Sequence, residues 1–200
     1  MSLPVAVLAG GLATRLGEVA PGVPKALVPV AGRPFALHQI DRLRRHDLTD
    51  IVFLVGHLGE MIREALGDGA RWGVRLRYVF DGPGSLGTGG ALVQALPALG
   101  EAFFVLYGDS YLECDYGAVE RAFLASGREA LMTVCRNDCR WDRSNVLFVD
   151  GRLVRYDKSA PTPDMQHIDY GLGAFTRTAF DRYAAAADRR IDLAEAQADR

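Results

Sequence analysis

VAVLAGGLATRL, residues 5–16, joins an apolar run to a glycine pair and then to a threonine and an arginine. The run VAVLA (5–9) reads as a strand buried on both faces. Gly10 and Gly11 follow it directly, and glycine permits close backbone approach and positive φ. Successive backbone N–H groups in such a loop form a cradle for an anion. Arg15 adds a planar fork of donors suited to phosphate, and Lys25, in VPKALVPV (23–30), adds a compact charge. The spacing is neither GxxxxGK[ST] nor GxGxxG, so neither common nucleotide loop is present. On this stretch alone, phosphate binding and a tight turn needed only for folding both stay open.

Outward from this stretch, strands and helices alternate. PFALHQIDRLRRHD (34–47) places Ala36, Ile40 and Leu43 on one helical face, with Arg42, Arg44 and Arg45 mostly on the solvated side. DIVFLVG (50–56) predicts a second buried strand, and HLGEMIREALG (57–67) a helix stopped by Gly67. VRLRYVF (74–80) alternates, as a strand with a more exposed face does. TGGALVQALPALG (88–100) predicts a short helix with Thr88 as N-cap and a stop near Pro97. AFFVLYGD (102–109) predicts a strand, and DYGAVERAFLASG (115–127) a helix that gathers Tyr116, Val119 and Phe123. Such repetition predicts an α/β fold, a Rossmann-like, doubly wound, mostly parallel sheet.

After residue 130 the pattern changes to strands with little helix between them: ALMTVC (130–135), NVLFVD (145–150), RLVRYD (152–157) and YGLGAF (170–175). Asp150-Gly151 predicts a two-residue hairpin turn, and a helix is expected over 177–188. The expectation is a single domain over 1–200. Residues 1–128 would form a nucleotide-binding lobe and 129–200 a smaller mixed-β lobe, incomplete at its C-terminal end.

The chain has 200 residues, a net charge of −2 and a pI near 6.1, which argues against nucleic acid as a partner. Cys114, Cys135 and Cys139 are too few and too unevenly spaced for a disulfide framework, and no second pair completes a zinc site. No signal peptide or membrane span is visible, so a cytoplasmic location is expected, with no membrane partner. A homo-oligomer is compatible with the sequence.

Ligands of open α/β sheets bind beyond the carboxyl ends of the strands. Three unusual segments fall there: AGGLATRL (9–16), GPGSLGTGG (82–90) and GDS (108–110). Asp109 suits Mg2+, which takes one or two carboxylates together with substrate phosphates; a loop or capping aspartate is the alternative. Lys158, in VRYDKSAP, follows a strand and suits either a second phosphate or the open surface. His38, His46, His57 and His167 form no constellation, and no activated nucleophile suggests covalent catalysis.

LAGGLATRL…VPKALVPVAGRPF resembles the N-terminal signature of the sugar-1-phosphate nucleotidyltransferases, roughly GGxGTRL…PKxLxPVxGKP. The likeness continues through SLGTGGAL (85–92), YGDS (107–110), VRYDK (154–158) and IDYGLGAF (168–175). It implies a nucleotide-diphospho-sugar transferase-like, GT-A type fold whose smaller lobe binds the sugar, and an NTP and a sugar 1-phosphate as substrates. It implies nucleotide binding by Leu8, Gly10, Gly11, Thr14, Arg15, Gly87 and Thr88. It implies sugar-phosphate binding by Lys25, Asp157, Lys158, Asp169 and Gly171. Arg15, Lys25 and Asp109 would carry catalysis, with Asp109 as the Mg2+ ligand. Heptose- or mannose-like 1-phosphate guanylyltransferases resemble the chain best. A uridylyltransferase for an N-acetylated sugar 1-phosphate and a non-catalytic regulatory relative are the alternatives. A metal-dependent glycosyltransferase fits poorly, because GDSYLECD holds no D-x-D pair.

The chain departs from that pattern in places. Ala13 stands where glycine is commoner, Asp157 where Glu is, and Asp169 where Asn is. An ordinary backbone is expected at Ala13, since alanine resists positive φ. The family's second acidic metal ligand comes after the Asn-x-Gly segment, and no counterpart is recognised before Arg200.

Overall fold

The computed structural model describes residues 2–11, 22–82, 84 and 86–184. β1 (Val5–Leu8) is followed by a small hairpin of β2 (Pro29–Val30) and β3 (Arg33–Pro34). Then come α1 (Phe35–Arg44), β4 (Asp50–Val55), α2 (Gly59–Leu66), β5 (Arg75–Phe80), α3 (Gly87–Leu99) and β6 (Ala102–Tyr107). α4 (Tyr116–Ser126) leads into β7 (Ala130–Arg136), β8 (Val146–Val149), β9 (Arg152–Tyr156) and β10 (His167–Thr176). A 3-10 turn (Arg177–Phe180) and α5 (Asp181–Ala184) follow; the rest of the helix expected over 177–188 lies outside the described residues.

The main sheet runs β5-β4-β1-β6-β10-β8-β9, with β7 pairing β10. β5, β4, β1 and β6 are parallel: Val5 of β1 faces Ile51 on one side and Phe104 on the other. β10 is antiparallel to β6, which makes the sheet mixed. The expected doubly wound sheet is present, and strand periodicity explains its two layers. Val5, Val7, Phe53 and Phe104 pack with Ile40, Leu43, Ile62 and Phe123 of α1, α2 and α4. Ala6, Val52, Phe103 and Val105 pack with Leu92, Ala95 and Leu99 of α3. The face of α1 picked out by Ala36, Ile40 and Leu43 is buried.

α3 differs from expectation at both ends. Its cap is Leu86, and Thr88 lies inside the first turn. The helix also runs through Pro97 to Leu99 and stops at Gly100, whose φ is 75°. A proline inside a helix costs about 3 kcal/mol. Burying Leu92, Leu96 and Leu99 stabilises by roughly 1.5–3 kcal/mol each, so packing outweighs propensity. Asp150 and Gly151 both take positive φ, 49° and 77°, in the hairpin between β8 and β9.

Candidate active site

β1, β4 and β6 end side by side, and their following glycines decide how closely the loops approach. A Cβ on Gly108 would lie 2.6 Å from the Leu8 carbonyl oxygen, which accepts from the Gly108 N–H at 3.0 Å. A Cβ on Gly56 would lie 2.9 Å from the Gly10 carbonyl, and one on Gly10 would lie 3.3 Å from an Asp81 oxygen. Gly10 therefore serves close packing. Positive φ, which glycine also permits, is adopted by neither Gly10 nor Gly11, and among the described residues no atom would lie within 4 Å of a Cβ on Gly11. Ala13, Thr14 and Arg15 lie outside the described residues.

A cleft of about 260 Å³ opens beyond β6, lined by Tyr107, Asp109, Ser110, Lys158, Asp169 and Gly171, with Asp142, Arg143, Asn145 and Ile168 completing the wall. Lys25, in the 3-10 turn Lys25–Leu27, donates to Asp109 Oδ2 at 3.1 Å. The fold thus joins two candidates 84 residues apart. Among the described residues no cluster of three or more His, Cys, Asp or Glu side chains is placed to hold a metal. Asp109 is a half-exposed, hard oxygen donor, which suits a divalent ion completed by substrate oxygens.

The strands after residue 129 deliver Lys158 and Asp169. Asp169 accepts from the Tyr156 hydroxyl at 3.1 Å and from the Gly171 N–H at 2.9 Å. Gly171 sits at φ 93°, and a Cβ there would lie 2.7 Å from Ser110 Oγ, next to Asp109. β10 bulges here, between Asp169 and Gly173. Gly171→Ala is expected to destabilise by about 1–3 kcal/mol, from backbone strain plus the clash. It should lower kcat as Ser110 is pushed aside; urea unfolding and steady-state kinetics measure the two effects separately.

Asp157 does not line the cleft, although Lys158 does. Its carboxylate accepts from Ser159 N and Oγ, Ala160 N and Arg155 at 2.8–3.0 Å. The Ala160 N–H first, then Arg155 and Ser159, hold it well below the usual carboxylate range. In this arrangement Asp157 ties the turn that carries Lys158. Gly87, at φ 72°, begins α3, and Thr88 follows it. Just before them, burial pushes Asp81 up, and the Leu86 N–H draws it partly back.

Sequence reading missed Gln39. It is 2 % exposed and donates to the carbonyls of Tyr107 at 3.0 Å and Ser110 at 2.8 Å. Arg42, one turn on, donates to the Leu112 carbonyl at 3.2 Å. α1 therefore grips the loop that presents Asp109. An amide among Ala36, Ile40 and Leu43, on an apolar face, was the available signal. Gln39→Leu should leave two carbonyls short of a donor and destabilise by about 1–3 kcal/mol. It should also lower kcat more than either KM, and comparing kinetics with the thermal unfolding midpoint checks both.

The family model of the MobA-like NTP transferase domain matches residues 5–188 of this chain. An N-acetylmuramate alpha-1-phosphate uridylyltransferase of Neisseria meningitidis is 38% identical over 113 residues, 56% of this chain and 49% of the relative. The chain thus spans about half of that relative's length. A D-glycero-alpha-D-manno-heptose 1-phosphate guanylyltransferase of Campylobacter jejuni is 29% identical over 179 residues, 89% of this chain and 78% of the relative. Among solved structures, the inositol-1-phosphate CTP transferase from T. maritima shares the fold, with TM-score 0.81, 22% identity, and 98% of this chain and 80% of that one covered. HddC from Yersinia pseudotuberculosis, complexed with GMP-PN, shares it at TM-score 0.77 and 22% identity, over 96% of this chain and 83% of that one.

Proposed function

This chain belongs to the MobA-like NTP transferase domain family, and from that premise we propose that it transfers a nucleotidyl group from an NTP to a sugar 1-phosphate. One observation carries the reading. Asp109, which holds Lys25 as its ion-pair partner, and Lys158, from the later strands, line one cleft beyond the carboxyl end of β6. Both substrates are anions, so bringing them together is the electrostatic problem to be solved. An oxygen of the sugar 1-phosphate attacks the α-phosphorus, a new O–P bond forms, and the bond to pyrophosphate breaks. The pyrophosphate and the NDP-sugar are the products. The attacking oxygen is already ionised, so no general base is required, and alignment supplies most of the rate. Lys25 and Lys158 offset the repulsion between the two phosphates, and Arg15 is assigned to the departing pyrophosphate. Asp109 would hold a divalent cation, Mg2+, which neutralises phosphate charge when bound.

The preferred substrates are a guanosine triphosphate and a heptose- or mannose-like 1-phosphate. The Campylobacter guanylyltransferase supports this, because it aligns over 89% of this chain. The higher identity of the Neisseria relative, 38%, keeps a uridylyltransferase for an N-acetylated sugar as the second reading. Pyrophosphate release, measured with each NTP against a panel of sugar 1-phosphates, tests both. Turnover of GTP with a neutral heptose or hexose 1-phosphate supports the first, and turnover of UTP with an N-acetylated sugar the second. Nucleotide binding without release from any pair would replace both with a non-catalytic role.

A further inference from the structure

We propose that Tyr107 and Tyr156 are positioning residues that hold the Lys158 ammonium at the sugar-phosphate end of the cleft; the proposal rests on the role given to Lys158 above. Lys158 Nζ lies 5.3 Å from the ring centroid of Tyr107 and 5.4 Å from that of Tyr156. Both distances fall within the ~6 Å over which a ring face attracts a cation. The rings come from different lobes, Tyr107 at the end of β6 and Tyr156 at the end of β9. Tyr156 is 5% exposed, and its hydroxyl is tied to Asp169, which is tied in turn to the Gly171 N–H. One ring is thereby fixed before any substrate arrives.

The choice of ring faces has a chemical consequence. Lys158 is an exposed side chain on a flexible four-carbon stem, and without a partner it would sample many rotamers. A carboxylate partner would hold it but also occupy one of its N–H donors and offset part of its charge, as Asp109 does for Lys25. Ring faces hold the ammonium while leaving it net positive, with N–H donors free for a phosphate. Lys158 would then meet the sugar phosphate already oriented.

The test is a set of variants read by kinetics and by calorimetric binding of the sugar 1-phosphate. Tyr107→Leu or Tyr156→Leu should raise KM for the sugar 1-phosphate roughly threefold, and the double change roughly tenfold, with KM for the NTP unchanged. Tyr107→Phe keeps its ring face and should keep wild-type affinity, whereas Tyr156→Phe keeps the ring but frees Asp169 and should lose less than Tyr156→Leu. In a Lys158→Met background the Leu changes should add nothing, because they act through the lysine. Equal losses with Phe and Leu, or additive losses on Lys158→Met, overturn the proposal. A Lys158→Met enzyme with unchanged sugar-phosphate affinity overturns the role of Lys158 itself, and the proposal with it. If Tyr156→Leu unfolds, Tyr107→Leu, at the partly exposed ring, decides.

Discussion

Asp109→Asn is expected to lower kcat by at least about a hundredfold, roughly 2.7 kcal/mol of transition-state stabilisation, while barely moving the thermal unfolding midpoint. The two halves of this result have different causes. The Lys25–Asp109 pair is solvent-accessible, with side chains 31% and 56% exposed. Exposed ion pairs contribute about 0–1 kcal/mol, so the fold should hardly notice the change. Asparagine keeps the shape and loses the charge that would hold a divalent cation and balance Lys25. The loss should therefore be in activity and in metal affinity. Binding of Mn2+ in the presence of nucleotide, followed by electron paramagnetic resonance, gives the second readout. A variant with more than a tenth of wild-type kcat would remove Asp109 from the metal site.

Arg15→Ala is expected to cut turnover by more than about tenfold, at least 1.4 kcal/mol, with much less effect on sugar-phosphate binding. The partner charge assigned to Arg15 is on the triphosphate, and it grows as pyrophosphate departs. A guanidinium there acts mainly in the transition state, so kcat should fall further than either KM rises. Lys would be a poor replacement, because it lacks the planar fork. Steady-state kinetics with both substrates varied checks the split. A loss of less than tenfold would show that the arginine does not handle the leaving group.

The earlier and later parts of the chain differ in what could be read from residue order. Strand–helix alternation through residue 127 is written in periodicity, and every strand and helix expected there is found. The hairpin of β2 and β3 escaped notice, because its strands are two residues long and its turn, Ala31-Gly32, puts an alanine at φ 48°. α3 escaped in its details, because tertiary burial overrode both the proline and the capping preference of threonine. In the site, charged loop residues such as Lys25, Asp109 and Lys158 stood out by type. The groups that place them did not: Gln39 and Tyr156 resemble ordinary helix and strand residues until their partners are known.

The sequence by itself determined the alternating α/β architecture, the glycine-rich tip of β1 and the charged residue types near the strand ends, because these depend on local periodicity and side-chain chemistry. Only the tertiary structure decided that Lys25 neutralises Asp109, that Asp157 braces a turn beside the cleft, and that Tyr107 and Tyr156 share Lys158. Those outcomes depend on β10 entering the main sheet beside β6, with a bulge at Gly171 that seats Asp169 and Ser110 at one cleft. A pairing between strands some seventy residues apart is set by how whole faces pack, and no local pattern encodes it.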